Sequence, residues 1–403
     1  VPGTVYLDHA ATSPMRAAAM EAYTRVAGVP GNASAGHAPG RAARRVVEDA
    51  RESIADSLGC GPAEVTLTAG GTEADNLAVA GLHRARRAAD PARRRILVSA
   101  VEHPAVAAAA DALALTDGAV VERIPVDARG AVDLGALQDE LRDAASVSLV
   151  ACMWANNEVG TVQPIGHVLS IAHARGVPVH VDAVQAVPGL PVDLAALGAD
   201  TVAVSGHKVG GPVRSGVLVV RRDTLLVPLL HGGGQERGLR PGTLDPAATA
   251  ALAAALAETV TERPVEAPRL AGLRDRLLAG VVDRAPEAVV TVADGDRLPG
   301  IAHLTFPGCD GEALQFLLDS RGIAASAASA CSAGVLRPSP VLLAMGMAAD
   351  RARTSVRFSF GHTSTDSDVD AVLAVIAEVA AGARRVARAL GGAPGGRAAV
   401  PAA

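Results

Sequence analysis

Between residues 60 and 220, short β-branched runs alternate with Ala/Leu-rich stretches of helical periodicity. The runs Glu64–Thr68, Ile96–Ala100, Val120–Ile124, Val147–Cys152, Val177–Asp182, Thr201–Ser205 and Gly216–Val220 predict strands. Glu73–Arg87 and Ile165–Ala174 predict helices among them. Strands alternating with helices imply an α/β fold around a mostly parallel sheet. Ligands of such sheets bind beyond the carboxyl ends of the strands, so chemistry is to be sought just after each strand. The pattern changes after about residue 260. A helix over Arg269–Val281 leads to strands near Val289–Val292 and Ile301–Phe306. A helix Gly311–Asp319, a strand Gly322–Ala325, a small-residue loop Ser326–Gly334, a strand Ser355–Phe360 and a helix from Asp366 to about Leu390 follow. These elements predict a smaller α+β domain. No internal repeat is visible, and the Gly/Ala/Pro-rich residues 391–403 read as a flexible tail.

A chain of 403 residues has room for two or three domains and a large core, without disulfide or metal staples. Hydrophobic residues at 49% against 20% charged exclude wholesale disorder. Lys+Arg 37 against Asp+Glu 42, a net charge of −5, gives no electrostatic ground for a nucleic-acid or polybasic membrane-surface partner. The arginine clusters at 84–87 and 93–95 lack interleaved aromatics and read as solvated helix ends. No apolar run approaches the roughly 20 residues that span a bilayer. Val1 to Asp8 has no signal-peptide pattern, so a soluble, cytoplasmic protein is expected. Cys60, Cys152, Cys309 and Cys331 lie far apart with no C-x-x-C pair, which fits a reducing compartment and predicts neither a disulfide framework nor a metal site.

One count changes the picture. Lys208 is the single lysine, and the other basic residues are arginines. Arginine carries surface charge, but its guanidinium does not deprotonate and cannot form an imine. A sole lysine is therefore a candidate amine; an arginine-biased composition is the plainer reading, and its neighbourhood must decide.

Each strand end offers something. Ala69-Gly70-Gly71-Thr72-Glu73 is a glycine turn into a helix, either a cap or a cradle whose N–H groups and Thr72 hydroxyl meet an anion. Neither a Walker A loop nor G-x-G-x-x-G is present, which weakens nucleotide readings. Glu102-His103-Pro104 places an imidazole, structural or functional, after the second strand. Asn156-Asn157 are adjacent amides beside Trp154, the only tryptophan. Asp182, followed by Gln185, is a helix cap or a carboxylate able to hold a protonated ring nitrogen. Ser205-Gly206-His207-Lys208 puts the lone amine at a strand end beside possible phosphate ligands. Jointly these fit pyridoxal phosphate (PLP), which needs a lysine imine, a carboxylate on its pyridine nitrogen and donors for its phosphate.

The same residues carry a resemblance. The segments 6–12 (Tyr-Leu-Asp-His-Ala-Ala-Thr), Gly31-Asn32, 71–76 (Gly-Thr-Glu-Ala-Asp-Asn), Glu102-His103, 156–160 (Asn-Asn-Glu-Val-Gly), 181–185 (Val-Asp-Ala-Val-Gln), 205–208 (Ser-Gly-His-Lys), 231–237 (His-Gly-Gly-Gly-Gln-Glu-Arg) and 355–359 (Ser-Val-Arg-Phe-Ser) resemble cysteine desulfurases of the class V aminotransferase family, which are fold-type I PLP enzymes. The likeness runs in order from about Val5 to about Arg384.

The resemblance implies a large PLP-binding domain over 13–260 and a small one from 1–12 with 261–390. It implies that Lys208 holds pyridoxal 5'-phosphate as an imine and later shuttles the substrate's protons. Asp182 would pair with the pyridinium nitrogen, and His103 would stack on the ring and join in proton transfer. Gln185 and Asn157 would contact the phenolic-oxygen side. Gly71 and Thr72, with Ser205 and His207, would bind the phosphate, joined by Thr243 from the second subunit of a homodimer. Arg357 would clamp the substrate carboxylate through its planar fork, helped by Asn32 and Asn157.

Cys331 selects among PLP reactions. It lies in the small-residue segment 326–334, where long-loop cysteine desulfurases resembling this chain carry their nucleophile. The implied reaction removes the Cα proton of L-cysteine and transfers its sulfur to Cys331 as a persulfide. L-Alanine leaves, and the sulfur passes to an acceptor such as an iron–sulfur scaffold protein. Another class V activity, an aminotransferase or selenocysteine lyase, is the alternative. The sequence departs from the family pattern at Ala328 and Ser332 around that cysteine, at Ser13 and at Ala33. An alanine for the usual glycine at 328 stiffens the segment slightly, which bears on transfer rate and partner choice more than on chemistry.

Overall fold

The seven runs expected before residue 220 form one sheet. The computed structural model describes residues 3–327 and 338–391. After a short β1 (Val5–Tyr6) come β2 (Val65–Thr68), β3 (Arg95–Ser99), β4 (Val120–Ile124), β5 (Val147–Ala151), β6 (Val179–Asp182), β7 (Thr201–Ser205) and β8 (Gly216–Val220). Their order is β2-β8-β7-β6-β5-β3-β4. β8 runs antiparallel to both neighbours, and the other pairs are parallel. Interior strands are buried on both faces, as their unbroken Val/Leu runs require, whereas edge strand β4 is largely open to solvent. The parallel crossovers bring the carboxyl ends of β3, β5, β6 and β7 to one rim.

The C-terminal part builds a second, four-stranded antiparallel sheet. β9 (Val289–Val290), β10 (Ile301–Thr305), β12 (Ser326–Ala327) and β13 (Ser355–Ser359) take the order β12-β13-β10-β9. β1 pairs in parallel with β11 (Ile323–Ala324), so the chain's first residues fold with its last third. Leu7 is buried in one cluster with Leu277, Phe306 and Phe358.

The helix expected at Arg269–Val281 is the final third of a 39-residue helix, Pro246–Arg284. Pro264 and Pro268 punctuate the pattern there, yet the helix continues through both. Asp245 caps it, accepting from the Ala247 and Ala248 N–H groups at 3.0 Å. Its first half sends Leu252 and Leu256 into the core under the large sheet, and its second half sends Leu273 and Leu277 into the small one.

A second brace crosses the loop before this helix. Glu236 and Arg237 hold φ of 46° and 56°, a left-handed conformation that side chains avoid. Such strain persists only where surrounding structure fixes it. Here the buried Glu236 carboxylate accepts from Arg51 Nη2 at 2.6 Å, Arg51 Nη1 at 2.9 Å and the Leu67 N–H at 2.7 Å. Glu236→Ala would leave the buried Arg51 guanidinium with only the half-exposed Glu48 and the Val65 carbonyl, an expected loss of about 2 kcal/mol of stability in urea unfolding. A loss under about 1 kcal/mol would show that water reaches Arg51 and that the pair does not fix the loop.

Candidate active site

The rim where the strands end forms a cleft of about 1000 Å³. Following β2, Gly70 takes φ 129° and leads directly into the helix Gly71–Ala89. Among the described residues no side chain caps this helix, so its first N–H groups are open to a ligand. A Cβ at Gly71 would lie 2.9 Å from Val184 Cγ2 and 3.3 Å from Ser205 Cβ, so only glycine fits the turn. The turn therefore leaves space at the helix N-terminus, lined also by Thr72, Ser205 and His207.

Following β3, His103 Nδ1 accepts from the Ala105 N–H at 3.1 Å and caps the helix Pro104–Thr116. The imidazole is thus structural and still faces the cleft. Burial lowers its pKa first, and nearby Lys208 adds to this while Asp182 opposes it. The two amides after β5 divide the work. Asn156 is buried and holds the turn, donating to Val101 O and accepting from the Glu158 and Val159 N–H groups. Asn157 lines the cleft.

Asp182 ends β6 at the cleft floor, where one carboxylate oxygen accepts from the Val184 N–H at 2.9 Å. Burial raises its pKa, against the pull of that N–H, His103 and Lys208. Gln185 donates its amide to Ala10 O at 2.8 Å. Lys208 Nζ donates to Ala10 O at 2.6 Å and Ala11 O at 2.8 Å, so the N-terminal segment positions the amine. His207 Nδ1 lies 3.2 Å from Thr12 Oγ1, and burial beside Lys208 lowers its pKa to about 4.

Nine of the residues singled out in the sequence thus line one cleft: Gly71, Thr72, His103, Asn157, Asp182, Gln185, Ser205, His207 and Lys208. Arg357 stands just beyond it on β13. Its Nη1 donates to the Asn157 carbonyl at 2.8 Å and its Nη2 to Asp8 Oδ1 at 2.8 Å and Ser326 Oγ at 3.1 Å. Its buried Nε has no partner among the described residues. Thr243 is exposed and lines a neighbouring recess with Thr68 and Ala69 rather than this cleft. Asn32 is exposed, with Oδ1 accepting from the Ser34 N–H, and does not line the cleft. Cys331 lies outside the described residues. The other cysteines are free thiols, and burial raises each thiol, Cys60 to about 12.

Sequence reasoning passed over four neighbours of the site. Asp75, Met153 and Arg214 line the cleft, and Asp8 holds Arg357. Asp75 had a signal, since it is an acid flanked by Ala74, Leu77 and Ala78 on a buried helix face.

The donor set suits PLP. A buried carboxylate, an amine and an uncapped helix N-terminus surround a space whose glycine wall a methyl group would already crowd.

Residues 5–372 match the family model described as aminotransferase class-V. An IscS-like cysteine desulfurase of Mycobacterium tuberculosis is 51% identical over 96% of this chain and 99% of its own. The cysteine desulfurase NifS of Azotobacter vinelandii is 38% identical over 88% and 87% of the two chains. Among solved structures, a NifS-like protein superposes with a TM-score of 0.86 at 32% identity, covering 94% of this chain and 99% of its own.

Proposed function

Because the chain belongs to the class V aminotransferase family and, within it, to the cysteine desulfurases, we infer that its cleft carries out PLP-dependent removal of sulfur from L-cysteine, with Lys208, His103 and Cys331 as its catalytic residues. One observation carries the site assignment: the only lysine of the sequence shares a cleft with the buried Asp182 and an uncapped helix N-terminus. When bound, PLP supplies an electron sink for the bonds at the substrate Cα. The chain supplies the rest. Gly71, Thr72, Ser205 and His207 hold the phosphate, and Asp182 holds the ring nitrogen. Lys208 Nζ moves the Cα proton, and His103, uncharged through burial, covers the ring. Gln185 and Asn157 contact the phenolic-oxygen side of the ring. Arg357 receives the substrate carboxylate at its Nε edge, with Asn32 assigned to the same end. The thiolate of Cys331 attacks the substrate sulfur as the Cβ–S bond breaks, its electron pair staying with the carbon fragment that takes up protons to become L-alanine. The resulting persulfide passes its outer sulfur to an acceptor such as an iron–sulfur scaffold. Persulfide chemistry needs thiols kept reduced, which supports a cytoplasmic setting. No helix of the described residues is long and apolar enough to cross a membrane.

The test is product analysis. With PLP bound and a thiol reductant present, L-cysteine yields L-alanine and sulfide in equal amounts. A keto acid in place of alanine would mean transamination instead. Gly71→Ala is expected to weaken PLP binding about tenfold, since the methyl displaces Val184 and Ser205 at the phosphate turn. Unchanged affinity by absorbance titration would remove the turn from the site.

We further propose a homodimer in which Thr243 of each protomer reaches the other's phosphate. Its exposure on the braced loop that follows Glu236 supports this. Sedimentation should give a dimer, and a monomer that binds PLP fully would refute the role of Thr243.

A further inference from the structure

Behind Asp182 lies a group of buried acids that the reaction outlined above does not use. Asp75 is 1% exposed, yet its carboxyl borders the cleft, and its ligand atom lies within 4.8 Å of those of His103 and Asp182. Its partner on the other side is His180, fully buried, with Nε2 3.1 Å from Asp75 Oδ1. His180 Nδ1 in turn lies 3.0 Å from Thr201 Oγ1. A third acid, Glu102, is buried nearby, accepting from the Met153 N–H, with Oε2 unpartnered among the described residues.

Asp75 and Asp182, two buried carboxyl groups this close together, cannot both ionise freely. The groups that face Asp75 decide which one carries charge. Asp182 has Lys208, His103 and the Val184 N–H to stabilise its anion. Among the described residues, Asp75 hydrogen-bonds to an imidazole that burial keeps uncharged, His180, whose pKa falls to about 3. Burial, Asp182 and Glu102 all push Asp75 towards its acid form. Glu102 is pushed the same way but turns to the Met153 amide.

Resting on the PLP assignment above, we propose that Asp75 is a positioning residue of the cofactor site, present as the neutral acid and anchored by the His180–Thr201 pair. In this role it supports Asp182 as the one ionised carboxylate against the pyridine nitrogen. The neutral acid gives Asp182 a polar neighbour without a second negative charge, which would compete for the ring proton. The role needs a neutral hydrogen-bonding group of the same shape, so asparagine can fill it and alanine cannot.

The experiment uses the full-length holoenzyme and three variants, Asp75→Asn, Asp75→Ala and Asp182→Ala. Infrared difference spectra of wild type against Asp75→Asn should contain a protonated-carboxyl C=O band at neutral pH. The pH midpoint of the bound cofactor's visible absorption should stay within about 0.3 unit in Asp75→Asn, and shift by about one unit in Asp75→Ala. PLP affinity should fall about tenfold in Asp75→Ala and be restored in Asp75→Asn. Three outcomes would overturn the proposal: no acid band assignable to position 75, a shift of about one unit in Asp75→Asn, as loss of a real charge would give, or an Asp75→Ala variant matching wild type. If wild type itself bound no PLP, or Asp182→Ala bound it as tightly as wild type, the cofactor assignment would be at fault rather than the role of Asp75.

Discussion

Lys208→Ala should lower sulfide release from L-cysteine by about four orders of magnitude, because a covalent tether and a proton carrier are lost together. No neighbouring amine can substitute, since the sequence contains no other lysine. Arg214 at the cleft wall is no substitute, because a guanidinium cannot form an imine. The phosphate turn and Asp182 do not depend on Lys208, so the variant should still take up PLP while losing the absorption of the lysine imine. A small amine such as methylamine should restore part of the rate. The Ala10 and Ala11 carbonyls that receive Nζ belong to the backbone, so the fold should be unharmed. A variant within about tenfold of wild type would remove Lys208 from the chemistry.

Arg357→Leu is the second large effect, an expected rise of about 100-fold in KM for L-cysteine with a smaller change in kcat. The guanidinium is set before substrate arrives, by the Asn157 carbonyl, Asp8 and Ser326. Its buried Nε, without a partner among the described residues, is the kind of donor that a carboxylate satisfies. Lysine should not rescue it, because a single ammonium cannot reproduce the fork. Cysteamine, which lacks the carboxylate, should perturb the cofactor absorbance equally in wild type and variant. Equal loss of cysteamine and cysteine binding would mean that the variant damages the site as a whole, and that Arg357 is not the carboxylate clamp.

Much of this arrangement was legible in the chain because strand ends are local. A β-branched run followed by Glu102-His103, by Asp182 or by Ser205-Gly206-His207-Lys208 fixes both an element and the residue that its end presents. The crossovers of a parallel sheet then gather those ends on one rim. What the sequence hid is non-local. The Asp8–Arg357 pair joins residues far apart in the chain through β1, β11 and β13, and no local pattern encodes that contact. The pairing of Asp75 with His180 is likewise non-local, since the sheet brings together residues of two separate elements. The sequence reading predicts a helix over Arg269–Val281 only, whereas the helix runs Pro246–Arg284 through Pro264 and Pro268, packed against both cores. The resemblance singled out Asn157, and the turn geometry adds that its neighbour Asn156 is the scaffold that holds the turn.

The most direct test compares wild type with Cys331→Ala for sulfide and L-alanine formation from L-cysteine, with PLP bound and a thiol reductant present. The account predicts equal amounts of both products from wild type, and loss of both from a variant that still binds PLP and L-cysteine. Sulfide release surviving in Cys331→Ala would contradict sulfur transfer through that thiol. A PLP-loaded wild type that forms neither product would contradict the assignment of this cleft to L-cysteine.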